Sequence, residues 1–191
     1  RQRQMCIRDS YYTKNNKLIK KGCYASGVNG YHKYCDQQAF MLQNDYRKKA
    51  SVVKLEWSDV LYEICKVRAK DIVDEFSHTK LDSTAKNVLK NKYGYEEWML
   101  WGNVGTKGYG VCIISGENIF SGSSSPKHAM KSWKNSQGHY HNMVHPDYRY
   151  GAIASYKGCW AAVFSMVDVD EIVLNNNTES LEPALQILDR E

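Results

Sequence analysis

YRYGAIASYKGCWAAVFSM, residues 148–166, holds two apolar runs separated by Lys157 and Gly158. Extended runs joined by a two-residue link ending in glycine read as a β-hairpin, because glycine tolerates the positive φ that so tight a turn imposes. The hairpin makes the sheet antiparallel at this point, and the flanking sequence must supply what covers it.

Upstream, SSSPKHAMKSWKNS reads as a helix, with Ser125 as N-cap, Pro126 at the first helical position and Ala129, Met130 and Trp133 at core spacing. GYGVCIISGENIFSG (108–122) reads as a mostly extended, buried segment interrupted by Gly116 and Gly122. Residues 83–106 suit a short helix and loops carrying Trp98 and Trp101, with Asp82 as the expected cap. Before them, Ser58 caps DVLYEICKVRAKDIVDEF, where Leu61, Ile64, Cys65, Ile72 and Phe76 recur at helical period, and QQAFMLQNDYRKKA from Gln37 gives a further helix. Helices interleaved with extended segments and a closing hairpin predict an α+β fold, a three-layer α-β-α sandwich with helices on both faces of the sheet.

At 191 residues the chain is long enough for one well-buried domain with tails. Tyr (14) and Trp (5) outnumber Phe (4), which favours half-wet surfaces such as a cleft or an extracellular face. A net charge of +5 is too small and dispersed to indicate specific nucleic-acid binding, and the one dense basic run, KNNKLIKK (14–21), reads as solvated. No stretch approaches the roughly 18 consecutive apolar residues of a transmembrane span.

RQRQMCIRDS (1–10) back-translates, as CGG CAG CGT CAG ATG TGT ATA AGA GAC AG, into what looks like a sequencing-library adapter, so these residues are expected to be an artefact of the read. Without them three arginines and one aspartate are lost, and the charge falls from +5 to +3. Residues 11–36 are rich in Gly, Asn, Lys and Tyr and read as a linker or the end of a lost module; residues 167–191 read as an acidic tail. Of the remaining cysteines, Cys65, Cys112 and Cys159 sit in apolar patterns and are expected to be small buried hydrophobes, leaving Cys23 with Cys35 as the local pair to test for a disulfide.

GHYHNMVH (138–145) crowds His139, His141 and His145 together. On a strand His139 and His141 share a face; on a helix His141 and His145 do. Read with its neighbours, the segment belongs to a longer order: FSHT, then GEN, then a helix ending SW, then GH, then the hairpin closing on WAAVFS, with the Trp of LEWSD (Trp57) ahead. That order resembles the CAP superfamily of cysteine-rich secretory, antigen and pathogenesis-related proteins, in its bacterial SCP-like form, over residues 37–166. The resemblance implies the sandwich above, an extracellular or cell-surface location with any signal peptide lost from the truncated N-terminus, and a cleft built from His78 of FSHT, Glu117 of GEN and His139 of GH. It does not supply the second acidic residue found in eukaryotic members, since WKNSQGH has no carboxylate between Trp133 and His139.

Two imidazoles and a carboxylate around one cleft suit a divalent metal such as zinc, with His78, His139 and Glu117 as ligands. The same trio without metal forms a hydrogen-bonded cluster in which Glu117 fixes an imidazole tautomer. The functions that follow are an extracellular binding module for a cell-wall fragment, a lipid or an ion; a metal-assisted hydrolase of peptide or wall substrate, using the same three residues as catalytic candidates; or a scaffold with a vestigial cleft. Asn118 is expected to bond across its turn, His145, ahead of Pro146, to serve a turn, and His32, His128 and His141 to be solvated.

Overall fold

A computed structural model describes residues 33–95 and 113–175. Their elements are α1 (Lys33–Lys49), β1 (Glu56–Trp57), α2 (Asp59–Asp74), α3 (Leu81–Tyr93), β2 (Gly116–Ser121), α4 (Pro126–Lys134), α5 (Gln137–Met143), β3 (Tyr150–Tyr156), β4 (Cys159–Ser165) and α6 (Val169–Asn175). The strands form one sheet in the order β1-β3-β4-β2. β3 and β4 are the expected hairpin, antiparallel with Ala154 opposite Ala161, and its turn places Lys157 and Gly158 both at positive φ (48° and 79°). β2 runs antiparallel to β4 and β1 parallel to β3.

Alternation along the hairpin sorts the core into two layers. Ala152, Ala154 and Val163 face a cluster with Val60, Leu61, Ile64 and Cys65 of α2 and Leu81, Ala85 and Leu89 of α3. Ile153, Trp160, Ala162 and Phe164 face the opposite cluster, with Ala39 and Phe40 of α1, Ala129, Met130 and Trp133 of α4 and Met143 of α5. A period of two on the strands therefore builds a helix layer on each side, which is the α-β-α sandwich.

Ser58 caps α2 as expected, its hydroxyl accepting from the Leu61 amide at 3.0 Å. The same hydroxyl donates to Asp170 of α6 at 2.6 Å, and Asp170 accepts from the Asp59 and Val60 amides, both at 2.9 Å. A carboxylate from the far end of the chain thus satisfies the orphan donors at the positive end of α2. Val169, Ile172 and Val173 bury against α2 and α3. The stretch expected to open an acidic tail at residue 167 begins instead with a core helix, whose short apolar face is masked in sequence by Asp168, Asp170 and Glu171.

Other expectations shift locally. α1 starts at Lys33, a turn before Gln37 and inside the stretch read as linker. α3 starts at Leu81 after Lys80, with no side-chain cap, so Asp82 lies in its first turn and does not cap it. Phe76, placed on the apolar stripe of α2 by its spacing, lies beyond the helix end at Asp74 and is 58% exposed. Cys65 and Cys159 are free and buried, as expected. Cys35 is disulfide-bonded, and Cys23 and Cys112 lie outside the described residues, as do the adapter-like segment, His32, Trp98 and Trp101.

Candidate functional site: the His78, Glu117 and His139 cleft

The site starts on the second residue of β2. Glu117 pairs with Val163 in the sheet, and its side chain is 1% exposed. Gly116 before it allows a close approach: a Cβ there would stand 2.7 Å from the Tyr148 hydroxyl oxygen, and that hydroxyl donates to the Ser115 carbonyl at 2.9 Å. A larger residue there would have to push the tyrosine tip away from its bond to Ser115.

A buried carboxylate needs compensation. It comes from α2: Arg68 Nε donates to Glu117 Oε1 at 2.7 Å and Nη2 donates to Oε2 at 3.3 Å. Oε2 also meets His78 Nδ1 at 2.6 Å. Both carboxylate oxygens are therefore engaged, one by the guanidinium and the other by guanidinium and imidazole together. His78 sits in the loop between α2 and α3 with its side chain 57% exposed, so the triad runs from a buried cation to a solvent-facing ring. With Nδ1 turned to Glu117, Nε2 is the ring nitrogen left for other chemistry.

His139 reaches the same place from α5. Asn118, fully buried beside Glu117, donates to the His139 carbonyl at 2.9 Å, and Asn142 donates to the Asn118 side-chain oxygen at 3.0 Å and to the Glu117 carbonyl at 3.3 Å. The amide pair ties α5 to β2; Asn118, expected to bond across its own turn, stands instead within a strand and bonds to a separate helix. Trp133 Nε1 adds a further tie from α4 to the Ile119 carbonyl at 3.0 Å. Burial, and then the charge of nearby His78, hold His139 below the ordinary histidine range. Its ring is thus kept neutral further into acid.

Of the three residues read from sequence, Glu117 and His78 are in direct contact; His139 has its backbone carbonyl held by Asn118, and its ring is near enough to feel the charge of His78. Among the described residues no group of three or more His, Cys, Asp or Glu side chains is arranged to hold a metal ion. The remaining histidines group differently. GHYHNM is helical, so His141 neighbours His145 and not His139: their rings stand edge to face at 5.1 Å, and His145 stacks on Tyr148 at 4.4 Å. His145 Nδ1 accepts from the Asp147 amide at 3.3 Å, the expected turn chemistry, and His128 is exposed.

Arg68 was not among the residues singled out from sequence. Its signal was present, since it follows Leu61 and Cys65 and precedes Ile72 on the buried stripe of α2. A cation at a core position of a helix implies a buried partner.

A family model described as CAP, the cysteine-rich secretory protein family, matches residues 40–167, about two thirds of the sequence. The chain belongs to the CAP family. Its CAP domain is similar to a solved extracellular protein containing an SCP domain from Bacillus anthracis, at 22% identity with a TM-score of 0.51, over 68% of this chain and 39% of that one. It is similar also to a solved cysteine-rich secretory protein from Staphylococcus aureus, at 12% identity with a TM-score of 0.53, over 81% of this chain and 44% of that one. At these identities the likeness is one of fold, and the chain spans about two fifths of the length of either protein. No curated protein sequence matches it. No described helix is long and apolar enough to cross a membrane.

Proposed function

We propose that this CAP domain is an extracellular binding module whose cleft presents His78 and His139 to a polar ligand, with Glu117 as the acid that orients His78. The observation that carries the reading is the 2.6 Å contact between Glu117 Oε2 and His78 Nδ1 beside a carboxylate whose other oxygen is taken by Arg68. An acid so engaged is poorly placed to act as general base or metal ligand, and well placed to hold a tautomer. An extracellular setting is supported by the B. anthracis relative, which is described as extracellular.

The test uses a muramidase digest of bacterial cell wall as probe, with binding followed by calorimetry. Wild type is expected to bind, and both His78→Ala and His139→Ala to lose at least tenfold in affinity. Equal binding by all three proteins would reject the cleft and favour a scaffold role carried elsewhere on the chain.

A second reading has one observation in its favour. A carboxylate bonded to one nitrogen of an imidazole is the arrangement that orients histidines toward zinc through the other nitrogen. On this reading His78 and His139 hold a divalent ion such as zinc and Glu117 supports His78 without binding the ion, which departs from the three-ligand set suggested by the sequence. When bound, such an ion would polarise a carbonyl or activate water, the chemistry of a metal-assisted hydrolase. Zinc titration of wild type and His78→Ala separates the readings: a stoichiometric site lost in the variant supports it, and identical isotherms remove it. Turnover of the wall digest, abolished by chelator, is the result required for an enzyme.

A further inference from the structure

Arg68 is fully buried, and each of its nitrogens has a partner. Nε and Nη2 take the two oxygens of Glu117, Nη2 also donates to the Ser77 carbonyl at 2.8 Å, and Nη1 meets Asp71 Oδ2 at 3.3 Å. Asp71 in turn accepts from the Thr84 hydroxyl of α3. One guanidinium therefore touches three separate parts of the fold: the acid on β2, the backbone one residue before His78, and, through Asp71, the helix that follows.

We infer that Arg68 is the positioning residue of the cleft, fixing Glu117 and the His78 loop relative to each other through one planar fork. The inference rests on the reading of Glu117 as the acid that orients His78. Its physical basis is geometric. The loop around His78 has bonds of its own, Ser77 Oγ with the Thr79 hydroxyl at 3.1 Å, Thr79 Oγ1 with Glu75 at 3.2 Å and the Leu81 amide to the His78 carbonyl at 3.0 Å, but these tie it to itself and to the start of α3 and none reaches β2. Glu117, by contrast, belongs to a six-residue strand in the sheet. A contact between an exposed loop and a strand is held in place by a buried group that spans both, and among the described residues Arg68 bonds to both.

Charge alone does not do this. Lysine at the same position keeps the cation, but its single ammonium cannot serve two carboxylate oxygens and a carbonyl in one plane. Arg68→Lys is therefore the discriminating variant, and its readouts need no ligand. Nitrogen-15 NMR of the imidazoles reports which ring nitrogen of His78 carries the proton, and amide hydrogen exchange reports the order of residues 77–80.

Wild type is expected to show the Nδ1–H form of His78 and slow loop exchange. The variant, with its melt still cooperative, is expected to show a mixture of tautomers and at least tenfold faster exchange at residues 77–80. A cooperatively folded Arg68→Lys protein with both signals unchanged overturns the inference. If that variant does not fold, Thr84→Val takes its place: it releases Asp71 and hence Nη1 without touching the Glu117 contacts. A severalfold rise in exchange at residues 77–80 then supports the relay, and no change rejects it. Failure of wild type to bind the wall digest, together with a tautomer shift in Arg68→Lys, counts against the binding reading alone and leaves the positioning role supported.

Discussion

Among the described residues each face of the sheet buries one arginine, and the two are held in opposite ways. Arg68, under α2, pairs with Glu117 and Asp71. Arg47 of α1, on the other face, has carbonyl partners: Nε donates to Val53 at 2.6 Å, Nη1 to Met143 and His145 at 3.1 and 2.9 Å, and Nη2 to Tyr148 at 2.9 Å. The chemistry follows the partners. Burial, aided by the charge of Arg149, pulls Arg47 down to about 10. Burial works against Arg68 too, yet the bonds and charge of Glu117, with Asp71, more than offset it and hold that guanidinium above its ordinary range. Arg47 staples two loops to α1 through dipoles. Arg68 neutralises an acid, and that acid bonds the His78 imidazole.

The contrast is sharpest in a charge deletion. Arg68→Met leaves Glu117 buried with His78 as its remaining bonded partner, and removing one partner of a buried pair costs about 3–5 kcal/mol. Urea denaturation is expected to show a loss of that size, and Glu117→Gln added to the variant is expected to recover about half of it, because the stranded charge is gone. A loss below about 1 kcal/mol would mean that the pair is solvated and the comparison misread.

Arg47→Met is the counterpart, with a smaller expected effect. Its bonds to carbonyls are charge-assisted, but no ion is left behind, so a loss of about 2–3 kcal/mol is expected after the desolvation of the guanidinium is recovered. Glu117→Gln in this background is expected to add its own effect within about 0.5 kcal/mol, since the two sites share no partner. Coupling well beyond that figure would join the two faces into one network.

The same two arginines mark what the sequence disclosed and what it hid. Glu117, His78 and His139 were legible because each sits in a short motif whose order is specific. The hairpin was legible through Lys157 and Gly158, and the capped start of α2 through Ser58. Arg68 and Arg47 were not, since an arginine in a helical pattern ordinarily faces water, and only its place on an apolar stripe marks the exception. α5 was undecided because GHYHNM fits both periods, and a seven-residue helix has too few turns for periodicity to discriminate. α6 was hidden because Asp170, which makes its sequence look like a solvated tail, is the residue that docks it on α2.

The smallest expected effect concerns the protons of histidine. Two of the described histidines carry lowered values: His139 through burial and the charge of His78, and His145 through burial, with His141 and Arg47 adding to it and Asp147 opposing. A histidine whose folded form resists protonation is protonated first in the unfolded chain, so each contributes a loss of stability that begins as pH falls through about 6.5 and levels off below the folded value. Asp36 has the opposite slope. Fully buried, and accepting from Ser155 at 2.6 Å and Tyr62 at 2.9 Å, its carboxyl is pushed by burial from 3.8 up to about 8, so its contribution is greatest in acid and is lost as pH rises across that interval. Between pH 5 and 7 the two effects oppose each other, with the Asp36 loss running through the whole interval and the histidine loss only below about 6.5. Asp36→Asn removes the rising-pH loss and is expected to expose the histidine slope, with the melting temperature dropping as pH falls below about 6.5. Adding His139→Gln then flattens the part that belongs to the cleft, and His145→Gln the part beside Arg47. A drop that survives both substitutions would assign the acid sensitivity to some other group and remove the protonation half of the comparison.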